Sequence, residues 1–200
     1  MVGAMRRIAV LLAWAVLPWL SACSLLGETG FSIEPSLSAG VEGANLFPEV
    51  PYVRTADDVV QGMLDLAAVG PNDHVIDLGC GDGQILIAAA RRGASGLGVD
   101  IDPYPLQLGR YYARRAGVAE RVRFARQDLF QTDLRQHNVV MLYLSVALNR
   151  RLLPKLRAEL PRGARIVSHK FDMGGDWLPA RTLQVDGVPL YLWIAPGPGA

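Results

Sequence analysis

Apolar residues along this chain follow two rhythms. From residue 55 onward, short runs of four to seven apolar or alternating positions trade places with longer stretches whose apolar residues recur every three to four. The first rhythm reads as strand and the second as helix. Thr55 or Asp57 caps a predicted helix through Val59, Val60, Met63, Leu64 and Leu66, ended by Gly70-Pro71. His74 to Leu78 is the first predicted strand. Helix Gln84 to Arg92, closed by Gly93, and strand Gly96 to Ile101 follow. Pro103 opens a helix to Ala116 that stops at Gly117. Val122 to Arg126 is a third strand. Asn138 to Leu144 is almost wholly apolar, as suits a strand covered on both faces. Val146 to Leu160 is a helix that Pro154 should bend or split. Arg165 to Lys170 is a fifth strand. Arg181 to Val185 and Val188 to Ile194 flank Asp186-Gly187, a hairpin signal. The alternation predicts an α/β fold with a mostly parallel seven-stranded sheet and right-handed crossovers. The terminal hairpin should add an antiparallel strand at one edge.

In such a sheet, ligands bind outside the carboxyl ends of the strands, near the switch point. Asp77, Asp100, Asp128 and the Leu144-Ser145 corner all fall at or near predicted strand ends. The segment Val75 to Gly83 reads VIDLGCGDG: a buried strand, an acid, then glycine at every second position, with a helix beginning at once. Glycine tolerates positive φ and lets backbone approach a ligand closely, and the helix beyond offers unpaired N–H groups. A dinucleotide enzyme would hold a pyrophosphate there. Asp77 and Asp82 would repel one, yet would attract a cation or an ammonium group. S-adenosylmethionine carries a sulfonium and an α-amino group, so the acids favour that ligand over a nicotinamide dinucleotide. Gly98-Val99-Asp100, a second apolar run ending in an acid, completes the half-fold.

The length of 200 residues suits one domain. Twenty basic residues against nineteen acidic leave no strong nucleic-acid footprint. The eighteen arginines look scattered along the chain, as a coding bias would leave them. His74, His137 and His169 lack metal-ligand spacing; the first two are expected at the surface, and the third is a weaker candidate for the site. Trp177 and Trp193 read as packing residues. Cys80 reads as a small apolar filler. The N-terminus differs in kind. Arg6-Arg7, an apolar run from Ile8 to Leu20, and Ser21-Ala22-Cys23 have the layout of an export signal. Leu20 to Cys23 resembles a lipobox, with Cys23 as the lipidated residue. An uncleaved anchor and a misassigned start are the other readings; the run is shorter than the roughly twenty residues that span a bilayer. The expected organisation is a signal-like segment over 1–23, a tether over 24–50 and a folded domain over 51–200.

Asp77-Leu78-Gly79-Cys80-Gly81-Asp82-Gly83 resembles motif I of class I S-adenosylmethionine-dependent methyltransferases, whose fold is Rossmann-like. More narrowly, residues 51 to about 195 resemble the lysine methyltransferases of the ATP synthase c subunit and their bacterial relatives. Pro51-Tyr52-Val53, ARRAG at 113–117, RQDL at 126–129, KLRAEL at 155–160 and GARIVS at 163–168 carry that likeness. Leu144-Ser145-Val146 departs from it, because relatives tend to carry proline before the serine. The resemblance implies that Gly79, Gly81 and Gly83 approach the cofactor by their backbone, with Asp82 in the same loop. Asp77 would hold the amino-acid end of the cofactor and Asp100 both ribose hydroxyls. Ile101 would lie on the adenine face, with Asp128 at the adenine amino group and Leu129 beside the ring. Pro51 and Tyr52 would close over the cofactor or shape the way in for the substrate, and Tyr143 to Ser145 would position the acceptor. Tyr52, Tyr143 and Ser145 are thus the candidate catalytic set.

Each of these residues also has a plainer reading. The glycines could form a structural turn, Asp100 a helix cap, Asp128 a turn residue and Tyr143 core packing. The implied activity is methyl transfer, on a protein lysine, by a monomer attached to a membrane through its N-terminus. The competing functions are a nicotinamide-dependent oxidoreductase on a similar fold and an exported binding module without catalysis.

Overall fold

The computed structural model describes residues 52–175 and 177–199. Pro51, the signal-like segment, Cys23 and the tether lie outside the described residues. Among the described residues, four helices and seven strands occur in the order α1 (Asp57–Leu66), β1 (His74–Leu78), α2 (Gln84–Arg91), β2 (Ser95–Asp100), α3 (Pro103–Arg115), β3 (Val122–Arg126), β4 (Val139–Leu142), α4 (Val146–Glu159), β5 (Arg165–His169), β6 (Arg181–Val185) and β7 (Val188–Ile194). They build one sheet, ordered β3-β2-β1-β4-β5-β7-β6. The first five strands are mutually parallel, and β7 is antiparallel to both β5 and β6. This is the expected Rossmann-like sheet with one correction. The antiparallel strand is not the edge: β7 lies between β5 and β6. Burial explains the swap, since β7 carries buried Leu190, Leu192 and Trp193 while β6 is exposed along almost its whole length. At the hairpin, Asp186 (φ 47°) and Gly187 (φ 77°) are both left-handed, as a type I′ turn requires.

Period-two alternation sorts the core into two layers. Val75, Met141, Val167 and Leu192 face the layer holding α1 and α2. Ile76, Val140, Ile166 and Trp193 face the layer holding α4. Gly96 on β2 is required by close approach: a Cβ there would stand 2.5 Å from the Val75 carbonyl oxygen and 2.6 Å from Leu86 of α2.

The element ends show where side chains override periodicity. α1 has Ala56 at its N-cap without a side-chain bond, so neither Thr55 nor Asp57 caps it. Thr55 is buried, and the Asp57 carboxylate instead accepts from Gln84 Nε2 of α2 at 2.7 Å. α3 is capped by Asp102, which accepts from the Tyr104 N–H at 2.9 Å with Pro103 next in line. That removes the reading of Asp100 as the cap; a cap of this kind contributes about 1 kcal/mol. α4 runs unbroken through Pro154, so of the expected bend or split, the split does not occur. β4 is shorter than expected. It starts one residue late and ends two early; Asn138 still bonds its backbone to His74 and Arg165, while its side chain accepts from the His74 N–H at 2.8 Å and donates to Asp73 at 3.0 Å. Arg165 donates to the same Asp73 carboxylate, closing the amino ends of β1, β4 and β5. β5 stops at His169 because Lys170 is left-handed, with φ 67°. Among the described residues, no helix is long and apolar enough to cross a membrane.

Candidate active site

Strand order reverses between β1 and β4, so the crevice opens outside their carboxyl ends. The glycine turn leaves β1 there. Gly79, Gly81 and Gly83 all have positive φ, at 79°, 52° and 72°. Gly79 and Cys80 donate to the Val99 carbonyl, at 2.9 and 3.0 Å, which lashes the turn to the end of β2. Asp100 completes the lashing. Its Oδ2 accepts from the Gly81 N–H at 2.9 Å and its Oδ1 from the Asp102 N–H at 3.0 Å. Each carboxylate oxygen keeps a further lone pair for a ligand hydroxyl.

Three acids converge on this turn. Asp77 is fully buried, and its Oδ2 has no hydrogen-bond partner among the described residues. Burial first, then the nearby Asp100 and Asp82, push its carboxyl up to about 8. Asp82 is differently engaged. Its carboxylate accepts from the Gln84 N–H at 3.2 Å and stands 3.7 Å from Arg54, with the Tyr52 phenol nearby. Burial first, then the Asp82 carboxylate, raise the Tyr52 phenol to about 12. The Tyr52 ring covers Gly81, where a Cβ would come within 2.4 Å of it. Cys80 is buried, with its thiol raised first by burial and then by Asp77, which disfavours the thiolate.

Beyond β4, Tyr143 is half-buried and meets His169 ring to ring at 3.8 Å. Phe171 is stacked on Tyr143 at 6.4 Å. His169 is buried, and burial, followed by the charge of Lys170, lowers its imidazole to about 4. Its ring is therefore neutral, and Nδ1 has no partner among the described residues. Buried Asn149 of α4 fastens the strand end behind this trio. Its Nδ2 donates to the Phe171 and Asp172 carbonyls, at 3.0 and 3.1 Å, and to Ser168 Oγ at 3.3 Å. Leu144 reaches over Gly79, 3.0 Å from where a Cβ would sit. Ser145 caps α4 by accepting from the Leu148 N–H at 3.2 Å.

The structure thus brings Tyr52, Asp77, Gly79, Gly81, Asp82, Gly83 and Asp100 together around one turn. Tyr143 stands at the end of neighbouring β4, and Ile101, Asp128 and Leu129 follow β2 and β3 on the other side. Asp128 makes a turn of its own, its Oδ1 accepting from the Phe130 N–H at 2.8 Å. Sequence reasoning missed Arg54, Phe171 and Asn149 and gave His169 little weight. None of them lies in a motif; the one available signal was that His169 directly ends an apolar strand.

A buried carboxylate oxygen without a donor, in a pocket of three acids, is complemented by a ligand cation rather than by a phosphate. The α-ammonium of S-adenosylmethionine supplies one, so the residues present fit that cofactor. Residues 77–181 match the model of the ANTKMT methyltransferase domain. A protein-lysine N-methyltransferase of Saccharolobus islandicus (strain REY15A) is 38% identical over 141 residues, covering 70% of this chain and 87% of that protein. The adenine nucleotide translocase lysine N-methyltransferase of Mus musculus is 36% identical over 144 residues, covering 72% of this chain and 62% of that protein. Among solved structures, an RNA methyltransferase from Salinibacter ruber in complex with S-adenosyl-L-homocysteine has a TM-score of 0.70 at 45% identity, covering 72% of this chain and 94% of that one. None of these likenesses supports the oxidoreductase or the inactive-module reading. A sheet of this order with an acid-rimmed glycine turn, matched by that family model and these relatives, makes the chain a member of the ANTKMT methyltransferase domain family and an S-adenosylmethionine-dependent methyltransferase.

Proposed function

We propose that this enzyme methylates the ε-amino group of a lysine in a protein substrate. The observation that carries the proposal is the aromatic trio Tyr143, His169 and Phe171 at the ends of β4 and β5, beside the acidic turn. A lysine ammonium has a reference pKa of about 10.4 and must lose its proton before it can attack. A mouth walled by aromatic rings and a neutral imidazole desolvates the ammonium and lowers that pKa, while the ring faces still attract it. The relatives named as protein-lysine N-methyltransferases support the same acceptor class.

The cofactor supplies an electrophilic methyl on a sulfonium, so the protein's work is orientation and exclusion of water. Asp77 would pair with the α-ammonium and Asp100 with the ribose hydroxyls. The backbone of Gly79, Gly81 and Gly83 would lie along the cofactor, with Asp82 bracing the turn. Ile101, Asp128 and Leu129 would receive the adenine. Tyr52, braced by Asp82, would close over the cofactor, and Tyr143 with Ser145 would shape the acceptor mouth. We further propose a monomer that reaches the membrane through residues 8–20, with Cys23 as a lipid-anchor site. Loss of acyl labelling in Cys23→Ala is the result expected there.

The Salinibacter ruber relative is named as an RNA methyltransferase, so the deciding experiment separates the two acceptors. Radiolabelled methyl transfer into membrane and soluble extracts should give a protease-sensitive band that yields methyl-lysine on hydrolysis. Asp100→Ala should weaken cofactor binding by more than about 1 kcal/mol and remove the band. Label lost to ribonuclease instead would overturn the lysine reading.

A further inference from the structure

The arginines that look scattered in sequence are gathered in space. Between Pro103 and Arg126 stand six arginines and one acid, Glu120. This stretch is net +5 in a chain of net +1, so the rest is net −4. It comprises α3 and β3, and β3 is an edge of the sheet. Arg110, Arg114, Arg115, Arg121, Arg123 and Arg126 are all exposed. Arg110, Arg121 and Arg126 donate to backbone carbonyls, of Phe124, Gly93 and Ile101. Among the described residues none of the six pairs with a carboxylate, so their charge is not neutralised within the domain. Charges on an edge strand discourage strand pairing between molecules. That accounts for β3; on α3, Arg110 is tied to the Phe124 carbonyl and Arg114 and Arg115 suit the helix C-terminus, yet all three present their charge to solvent.

α3 also exposes aromatic rings. Tyr104, Tyr111 and Tyr112 are 68%, 48% and 40% exposed. Tyrosine has an apolar body and a polar tip, which suits the headgroup level of a bilayer. Clusters of four to eight basic residues on a helix read as sites for anionic lipid. A nucleic acid fits less well. The cleft of about 580 Å³ that adjoins this face holds Arg91, Arg115 and Tyr112 but also Asp57 and Asp82, so a strand laid into it would meet two carboxylates, whereas a flat bilayer need not enter it.

We infer that the α3–β3 edge is a docking face for an anionic phospholipid surface, set against the bilayer by its arginines and tyrosines. The inference rests on the proposed N-terminal attachment for the nature of its partner. A single weak anchor gives reversible binding, and a basic face is the second signal that makes it stable. Each arginine brought near an anionic leaflet multiplies affinity roughly fivefold.

The test uses the full chain, synthesised in the presence of vesicles of phosphatidylcholine alone or mixed with phosphatidylserine, and read by flotation and amide hydrogen exchange. Residues 103–126 should exchange at least about fivefold more slowly on the anionic vesicles, and molar salt should remove the difference. Arg114→Glu with Arg123→Glu, two side chains without hydrogen bonds among the described residues, should abolish the protection while methyl transfer persists. Equal exchange on both vesicles, or protection that survives charge reversal, overturns the face. So does protection by single-stranded RNA where anionic vesicles give none. Failure to float on neutral vesicles counts against the N-terminal attachment; if anionic protection persists there, the face stands without it.

Discussion

The imidazole of His169 lies against the ring of Tyr143, centroid to centroid 3.8 Å, although one closes β5 and the other follows β4. The pair ties the acceptor side of the crevice to two strands at once. Asparagine at 169 would keep a polar group and lose the ring. His169→Asn should therefore lower kcat at least about tenfold while cofactor affinity is kept, the mark of lost orientation. Because the folded imidazole is held down to about 4, it stays neutral across the neutral range. A ring-proton titration should be flat from about pH 5.5 to 8, where an ordinary histidine inflects near 6.5. Between about 4 and 6.5 the unfolded chain takes up a proton that the folded one refuses, so His169 costs stability as pH falls through that window. Denaturation midpoints of His169→Asn should fall less steeply there.

Asp77 has the opposite sign. Its carboxyl is raised to about 8 when buried without a counter-cation. Its stabilising proton is fully in place below the unfolded value near 3.9 and is lost as pH rises through 8. The unliganded protein should weaken over that range, and Asp77→Asn should overtake it in stability at pH 8 by about 1 kcal/mol or more. Cofactor binding should release close to one proton at pH 7, because an ammonium favours the charged carboxylate. Calorimetry in buffers of different ionisation enthalpy reads this directly; proton uptake would contradict it.

Gly81 carries two separable constraints, a φ of 52° and the Tyr52 ring 2.4 Å from the site of any Cβ. Gly81→Ala should weaken cofactor binding more than tenfold and destabilise the domain by about 1–3 kcal/mol. In a Tyr52→Ala background the same change should cost measurably less. The remainder reports the backbone and the difference reports the ring.

Asn149 is wholly buried, and its amide makes three bonds behind the aromatic trio. Asn149→Ala leaves the Asp172 carbonyl without its side-chain donor and the Phe171 carbonyl with the Ser168 hydroxyl alone, and should cost about 1–3 kcal/mol. Unlike most core losses, this one should also accelerate hydrogen exchange at residues 170–172 before global unfolding.

Most strands were legible in the sequence because their apolar rhythm coincides with their burial. β1, β3 and β7 begin and end where the residue pattern says, and exposed β6 does so because the Asp186-Gly187 turn fixes its hairpin. The expectation failed where a side chain found a better partner than its own element offered. Asp57 turned to Gln84 instead of capping α1. The cofactor side of the crevice was legible because its acids and glycines are contiguous with a strand end. The acceptor side was not. Tyr143, His169, Phe171 and Asn149 come from three separate stretches, and only the pairing of β4 with β5 and the seating of α4 bring them together. The clustering of arginines was hidden for the same reason, since helix and strand spacing folds a dispersed set onto one edge.

β7 covers the whole length of β5 and buries Trp193 in the layer beneath α4. Until Val188–Ile194 has left the ribosome, β5 is an unguarded sheet edge beside an incomplete core. The nascent chain therefore holds its glycine turn long before it can hold a stable domain, and a message truncated within the hairpin would yield a sticky intermediate rather than a smaller enzyme.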